Sequence, residues 1–347
     1  MTIAPVRVNV ADAPPIAGLA FRRMRLPDDL EAIAGLFNTS DEADEIEDRH
    51  DVAGLAQWFA HASTWDPLED VLLAEVDGAL IGYGKVHWTE DTDGGRNYAL
   101  WGSVHPAWRR RGLGRAILHA NQRRLREIEA GQDVRAGTDQ RFETWCNETQ
   151  VGAMALLASE GFTTARYFFE MLRPNLDDIE EFSLPSGIEV RPVRPEDHRT
   201  IWNADTEAFA DHWGGMDLSE QAFRRFFSGP DFEPELWRVA WAGDEVAGQV
   251  NNMVMREFNQ QTGGRRGLLA GVSVRRPWRR QGLARALVSQ SLVAFRERGM
   301  TDAVLGVDAD NPTGALGVYE ANGFVVHQRE RAYRRPFHEA EAPQETV

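Results

Sequence analysis

The sequence of this 347-residue chain repeats itself once, with roughly 165 residues between matching segments. Four pairs of segments match, and they follow one another in the same order in both copies. The pairs are 21–29 with 190–197, 71–82 with 237–248, 106–116 with 277–286, and 160–162 with 322–324. Because each copy holds the whole pattern, the simplest interpretation is two domains of one fold, each with its own core.

Both copies have the same predicted order of elements: strand, helix or helices, hairpin, strand, long helix, strand, short helix and closing strand. This order predicts an α/β fold with a mixed (α+β) sheet in each of two tandem domains. A flexible Ala/Pro-rich leader, an acidic linker and a polar tail are expected around them. The predicted boundaries are leader 1–18, first domain 19–174, linker 175–187, second domain 188–337 and tail 338–347.

The composition indicates a soluble globular protein: hydrophobic residues make up 42% and charged residues 27% of the chain. The net charge of −16 argues against nucleic-acid binding, which needs cations to neutralise phosphates. An acidic surface that attracts a cationic amine is a weaker alternative to plain solubility. No apolar run approaches the roughly 20 residues that cross a bilayer, so no membrane association is expected.

Cys146 is the only cysteine, so neither an intrachain disulfide nor a thiolate metal site can form. The histidines are scattered without paired spacing, and no metal site is predicted. A cytoplasmic location is the default expectation for such a chain.

An arginine-rich turn lies between a strand (268–274) and a helix in the second copy, and it has the sequence RRQGLAR at 279–285. A helix N-terminus carries unpaired amides and a partial positive charge, so cations crowded there suggest a bound anion. Gly282 lets the backbone approach phosphates closely. The turn lacks the features of a P-loop or a dinucleotide fingerprint, and a solvated Arg-rich helix start is the plain structural alternative. The first copy repeats the turn at 109–115, which favours a pyrophosphate site.

The pattern Arg-x-x-Gly-x-Gly/Ala after a strand resembles the acetyl-coenzyme A signature of the GNAT superfamily of N-acetyltransferases. The segment 308–324, with its Asn, Tyr and Gly-Phe, is similar to the second signature of that superfamily. The resemblance covers nearly the whole chain. The tandem layout is similar to that of the mycothiol synthases, in which the C-terminal domain is the catalytic one.

The resemblance implies a role for each matching residue. The strand at 272–274 would pair with the pantetheine arm, the arginine-rich turn would hold the pyrophosphate, and Asn311 would hold the pantetheine amide region. Tyr319 would be the catalytic proton donor to the thiolate. The implied cofactor-binding residues of the second copy are Val272, Ser273, Val274, Arg279, Arg280, Gln281, Gly282, Leu283, Ala284, Arg285 and Asn311. Those of the first copy are Ser103, Val104, Arg109, Arg110, Arg111, Gly112, Leu113, Gly114 and Arg115.

The first copy departs from this pattern where catalysis would need a proton donor. Aligning the two Gly-Phe pairs places Leu157 opposite Tyr319, and leucine cannot donate a proton. Asn147 stands roughly where Asn311 does. The first copy is therefore expected to bind cofactor at most, although two copies active on different acceptors remain an alternative.

The base that deprotonates the amine is the least defined part of the prediction. Relatives often carry a Glu on the strand before the turn, and 268–274 contains none. The possible substitutes are Ser273, Glu257, Asp308 and His327. Asn251 and Asn252 are expected to face the substrate, as is His87 in the first copy, unless these residues simply alternate towards solvent.

The predicted function is transfer of an acetyl group from acetyl-CoA to a primary amine of a small molecule, by direct attack in a ternary complex. The alternative is a non-catalytic acyl-CoA-binding or sensor protein. A monomer that forms a pseudo-dimer of its two domains, or a weak homodimer, is expected. Neither the acceptor nor the oligomeric state follows from the sequence.

Overall fold

The computed structural model describes residues 6–60, 65–91, 94–210, 213, 218–228, 232–311 and 314–338. The chain divides into two compact units: unit 1 comprises residues 1–165 and 330–347, and unit 2 comprises 166–329. Both contain helices and a mixed sheet, which confirms the predicted fold class. No helix in the described part of the chain is long and apolar enough to cross a membrane.

Unit 1 holds most of the first sequence copy. Its elements are β1 (Arg7–Val8), β2 (Leu19–Arg23), α1 (Leu30–Ala43), α2 (Val52–Ala60), α3 (Pro67–Asp70), β3 (Val71–Val76), β4 (Ala79–Glu90), β5 (Arg96–Val104), α4 (Leu113–Ala130), β6 (Gln140–Asn147), α5 (Val151–Ser159) and the start of β7 (Thr163–Arg173). The strands β1 to β6 lie side by side in chain order, and all pairs are antiparallel except β5 with β6.

Unit 2 repeats this arrangement. Its elements are β8 (Glu189–Arg191), α6 (His198–Ala208), α7 (Glu220–Phe226), β9 (Arg238–Ala242), β10 (Glu245–Val254), α8 (Arg256–Thr262), β11 (Arg266–Val274), α9 (Leu283–Glu297), β12 (Asp302–Asp308), α10 (Ala315–Ala321) and the start of β13 (Val325–Pro336). Strands β8 to β12 also lie in chain order, and only β11 with β12 is parallel.

The closing strand of each sequence copy completes the sheet of the other unit. Residues 330–336 of β13 pair with β6 of unit 1, whereas residues 168–173 of β7 pair with β12 of unit 2. The units therefore differ from the boundaries 19–174 and 188–337 that the sequence suggests. A repeat in sequence locates the elements, but it does not say which sheet a terminal strand joins, because that pairing is long-range.

Two segments expected to be loose are packed in the structure. In the leader, β1 pairs with β2 and Val10 is 5% exposed in the core of unit 1. In the linker, Leu176 is 2% exposed, and the Phe182 backbone N–H donates to Ser289 Oγ of α9. Residues 1–5 of the leader and 339–347 of the tail lie outside the described residues.

The long helices α4 and α9 pack against the sheets because their apolar side chains recur at helical spacing. In α9 the buried stripe includes Leu283, Leu287, Leu292 and Phe295, all of which belong to the main core of unit 2. The hairpin of β3 and β4 closes through Asp77 and Gly78, both with positive φ, as a tight two-residue turn requires. These elements hold the strand ends that form the candidate site.

Candidate active site

Each unit has an opening where its two parallel strands separate. In unit 2, β11 pairs with β12 only from Arg266 to Leu268, and residues 269–274 then continue without this partner. In unit 1, β5 pairs with β6 only from Arg96 to Ala99. A strand edge without its neighbour offers backbone donors and acceptors to an extended ligand. The opening therefore suits a linear arm that carries amide groups.

The long helix of each unit begins beside this opening with its first-turn amides uncapped. Gly282 and Gly112 are the left-handed N-cap residues, with φ of 84° and 85°, and neither α9 nor α4 has a side-chain cap. Arg280 and Arg110 are also left-handed, at 61° and 63°. Non-glycine residues rarely adopt this conformation, and its recurrence in both units favours a functional turn. Uncapped amides and nearby arginines together suit an anionic group.

The first arginine of each turn makes hydrogen bonds or ion pairs within the protein that hold the turn in place. Arg279 Nε donates to the Val274 carbonyl at 2.9 Å, and its terminal nitrogen donates to the Ala208 carbonyl at 3.1 Å. Arg109 Nε donates to the Val104 carbonyl at 3.1 Å, and its guanidinium pairs with Asp44 at 2.6 Å. The structure thus gives these two arginines a different use from the expected pyrophosphate contact.

The other residues of the two turns differ in their surroundings. Arg280, Gln281 and Gly282 are exposed, as are Arg110, Arg111 and Gly112. Leu283 and Leu113 are 1% exposed and anchor the helices in the cores. Arg115 pairs with Glu160 at 2.7 Å, whereas Arg285 lies over the Phe182 ring at 4.2 Å.

The space around the two N-cap glycines also differs. A Cβ at Gly282 would meet no atom within 4 Å, but one at Gly112 would lie 3.4 Å from Pro14 of the leader. Unit 2 therefore presents its turn more openly than unit 1.

A β-bulge distinguishes the opening of unit 2. The register of β10 with β11 shifts between Asn251 and Asn252, which leaves Ala270 as an extra residue. The corresponding strands β4 and β5 of unit 1 pair without a shift from Gly82 to Glu90. A bulge leaves its extra residue outside the ladder, and Ala270 lies two residues beyond the last residue that pairs with β12. The bulge therefore places an extra backbone residue, Ala270, next to the opening of unit 2.

Tyr319 lies on α10 and is 6% exposed, with its ring against Phe324. Burial raises the pKa of its hydroxyl above the usual value, so the group keeps its proton at neutral pH. The helix ends of the two copies match: the Phe324 N–H donates to the Tyr319 carbonyl at 3.1 Å and the Phe162 N–H to the Leu157 carbonyl at 3.0 Å. Leu157 is thus the structural counterpart of Tyr319.

The counterpart of Asn147 is Asp308 rather than Asn311. Each ends its strand, and each accepts a hydrogen bond from the backbone N–H two residues later, that of Thr149 or Asp310. The backbone N–H of Gln150 and that of Asn311 donate in turn to these two strand ends. The expected match of Asn147 with Asn311 was wrong by three residues, because the sequence alone does not show at which residue each strand ends. Asp308 also pairs with Arg166 at 2.8 Å, which leaves it poorly suited to act as a base.

The two asparagines of β10 point to opposite faces of the sheet. Asn252 is fully buried, and its amide donates to the Leu236 carbonyl and to Ser291 Oγ of α9. The expectation that Asn252 faces the substrate is therefore wrong. Asn251 accepts a hydrogen bond from Gln249 at 3.1 Å on the other face, which is the face covered by α6.

Asp205 of α6 completes a buried polar network on that face. Ser273 Oγ donates to Asp205 Oδ1 at 2.7 Å, and Gln249 hydrogen-bonds the same carboxyl. Burial raises the pKa of Asp205 to about 6, against the lowering effect of these hydrogen bonds. In unit 1 the contact to Ser103 comes instead from Ser40 of α1, with 3.1 Å between the hydroxyls. Only unit 2 therefore has a carboxyl at this position.

Asp205 is not among the candidate bases that the sequence suggests. A signal was present, because an acidic residue stands on the apolar face of α6 with Ile201 and Ala204. An aspartate on the buried face of a helix indicates a polar partner across the interface. Its partner Ser273 is 68 residues away, so only the folded chain identifies the pair.

The comparisons with known proteins agree with this geometry. A model described as the acetyltransferase (GNAT) family matches residues 198–324, and a model of an acetyltransferase (GNAT) domain matches residues 67–164. The mycothiol acetyltransferase of Streptomyces bingchenggensis is 31% identical over 269 residues, which cover 76% of this chain and 80% of that protein. The chain belongs to the GNAT family of acetyltransferases. Its relative from Salinispora tropica, also a mycothiol acetyltransferase, is 29% identical and covers 87% of this chain and 92% of its own.

Solved structures show that other GNAT proteins share the tandem fold. A GCN5-related N-acetyltransferase from Sphaerobacter thermophilus has a TM-score of 0.76 at 23% identity and covers 94% of this chain and 98% of its own. A tandem GNAT protein from the clavulanic acid biosynthesis pathway has a TM-score of 0.67 at 17% identity, with 93% and 100% coverage. Like these family members, the 347-residue chain is an N-acetyltransferase that uses acetyl-CoA to acetylate an amine. The described residues contain no cluster of three potential metal ligands.

Proposed function

We propose that unit 2 catalyses the transfer of the acetyl group to a primary amine of a small molecule, and that unit 1 retains the fold without this turnover. The proposal rests on one difference between the two openings. Unit 2 combines the bulge at Ala270 with the protonated Tyr319, whereas unit 1 has a regular strand and Leu157. The alternative role, binding of acyl-CoA without catalysis, fits unit 1 but not unit 2.

The residues around the opening of unit 2 fit acetyl-CoA, which supplies a thioester-activated acetyl group. The unpaired edge of β11 at 272–274 would hydrogen-bond the pantetheine arm. The first-turn amides of α9 and the exposed guanidinium of Arg280 would hold the pyrophosphate. The free space at Gly282 supports this placement. Asn311 would contact the arm where β12 ends.

The catalytic roles follow from the charges that develop during transfer. A backbone amide at the bulge of Ala270 would donate to the carbonyl oxygen as it becomes negative. Tyr319 would give its proton to the departing thiolate. Asp205 would accept the proton of the amine through the Ser273 hydroxyl, which donates a hydrogen bond to the carboxyl at 2.7 Å. Unit 1 lacks the bulge, the tyrosine and the carboxyl.

The acceptor that we propose is a small-molecule amine related to mycothiol. Relatives named mycothiol acetyltransferase match most of the chain at 29–31% identity. A net charge of −16 favours the approach of a cationic amine. A screen of primary amines related to mycothiol, scored by coenzyme A release, would test this assignment.

Calorimetric titration with acetyl-CoA is the direct test of which unit binds productively. We expect Arg280→Glu to weaken binding tenfold or more, because it replaces a charge-assisted contact with repulsion, and each such contact contributes about 1.5–3 kcal/mol. Arg110→Glu makes the same change at the same left-handed position of unit 1 and serves as the matched control. Arg110→Glu should leave amine turnover intact. Loss of turnover with Arg110→Glu and not with Arg280→Glu would reverse our assignment of the units.

A further inference from the structure

Lys85 is the only lysine in the chain, among 38 lysine and arginine residues. Arginine guanidinium groups stay protonated and are poor nucleophiles, whereas a lysine amine becomes nucleophilic once it loses its proton. This amine acetyltransferase therefore carries a single side-chain amine of its own.

The position of Lys85 corresponds to that of Asn251 in unit 2. Lys85 lies three residues after Gly82 of β4, and Asn251 lies three residues after Gly248 of β10. Its cross-strand partner is Trp101, in the part of β5 that has separated from β6. Lys85 thus stands beside the opening of unit 1, in the position where unit 2 presents an amide.

Three tryptophans surround the Lys85 amine. Its Nζ lies 4.1 Å from the ring centroid of Trp58, 4.2 Å from that of Trp65 and 4.8 Å from that of Trp101. Lys85 is 5% exposed, and no carboxylate among the described residues pairs with it. Indole faces stabilise an ammonium ion but cannot accept its proton. Trp58, which is 43% exposed, forms the outer wall of the cage.

Desolvation acts on Lys85 in the opposite direction to the indole faces, because burial disfavours the charged form of the amine. Desolvation lowers the pKa of Lys85 to about 8, so a large part of the amine is unprotonated in mildly alkaline solution. His87 stacks on Trp101 with 4.7 Å between ring centroids. Burial and the nearby Lys85 lower the pKa of His87 to about 3, so it adds no second charge.

We propose that Lys85 is an acetylation site within the protein, modified by acetyl-CoA held in unit 1. The neutral Nζ forms a bond to the acetyl carbon and the bond from that carbon to sulfur breaks. The amine proton passes to solvent, and the coenzyme A thiolate leaves and takes up a proton from solvent. The product amide remains in the chain, so unit 1 transfers once and does not turn over. This inference rests on the acyl-CoA-binding role that we assign to unit 1 under the proposed function.

Acetylation changes the chemistry of the cage. The amide is neutral, so it forgoes the cation–π attraction of three indole faces. Slow transfer is consistent with Leu157, because leucine at the position of Tyr319 cannot protonate the thiolate.

The test is incubation of the full-length protein with acetyl-CoA that carries an isotopically labelled acetyl group, followed by intact-mass measurement and peptide mapping. We expect one labelled acetyl group per chain on Lys85, in addition to any already present in the purified protein. The lysine label should be absent from Lys85→Arg and fall at least tenfold in Arg110→Glu. It should persist in Arg280→Glu, whose unit 1 turn is unchanged.

Two controls separate this inference from the assignment of unit 2. Calorimetric titration of the same preparation shows whether unit 2 binds acetyl-CoA, and Lys85→Arg should retain that binding. Binding in unit 2 without any acetyl group on Lys85 would overturn the modification site alone. Equal labelling of Lys85 in folded, Arg110→Glu and urea-unfolded protein would identify plain chemical acetylation and would also overturn it.

Discussion

Replacing Tyr319 with phenylalanine should lower kcat about a hundredfold or more, within the range that general acids contribute. The substitution removes only the hydroxyl and keeps the ring against Phe324, so the fold and the dissociation constant for acetyl-CoA should be unchanged. Burial raises the pKa of this hydroxyl above its usual value, so Tyr319 should stay protonated at neutral pH. Deprotonation of Tyr319 should therefore not lower the activity of the wild-type enzyme there. Release of the coenzyme A thiol measures the rate, and Cys146, which is buried, contributes little background.

A second tyrosine provides the matched control for this substitution. The Tyr83 hydroxyl of unit 1 is buried without a hydrogen-bond partner among the described residues. Tyr83→Phe removes the same atom, should leave kcat unchanged and should slightly increase stability, because an unsatisfied buried hydroxyl is lost. Undiminished turnover in Tyr319→Phe would exclude this residue from the mechanism. A similar loss in both variants would point to general damage instead.

The sequence predicted those parts of the fold and site that depend on contiguous residues. Both arginine-rich turns, the replacement of Tyr319 by Leu157 and the element order within each copy follow from local motifs. The structure has the same turns and the same match of helix ends. A turn of this kind is specified by a few neighbours, such as Gly282 with its left-handed φ.

The features that the sequence did not predict depend on contacts between distant segments. The exchange of β7 and β13 is a matter of strand pairing across more than a hundred residues, and Arg279 reaches a carbonyl 71 positions away. The leader has a composition typical of a loose tail, yet Val10 packs with Phe21 and Ile117. Composition gives the average hydrophobicity of a segment. It does not show whether a particular hydrophobic side chain packs into the core.

Asp205→Asn should reduce kcat/KM about a hundredfold in mildly alkaline solution, and the reduction should disappear on acidification. Asparagine can still accept the Ser273 hydrogen bond but cannot take up a proton. Burial raises the pKa of Asp205 to about 6, so below that pH the wild-type carboxyl is protonated and equally unable to act as a base. The measurement is a pH profile of kcat/KM for both proteins, with Ser40→Ala of unit 1 as a control that should follow the wild-type profile. A constant ratio across the range would assign Asp205 a structural role only.

The stability of the same variant should change with pH in a defined direction. The folded pKa of Asp205, about 6, lies above its ordinary value of 3.8, so the folded state favours the protonated acid. The stability of the wild-type protein therefore falls as pH rises from about 4 to about 6 and then levels off, by up to roughly 3 kcal/mol from this group. Asparagine carries no such penalty, so the variant should gain stability relative to wild type over this interval. Denaturant midpoints near pH 4 and near pH 8 measure the difference. A variant that is less active and yet more stable at neutral pH would show that the buried carboxyl is retained for chemistry at the expense of stability.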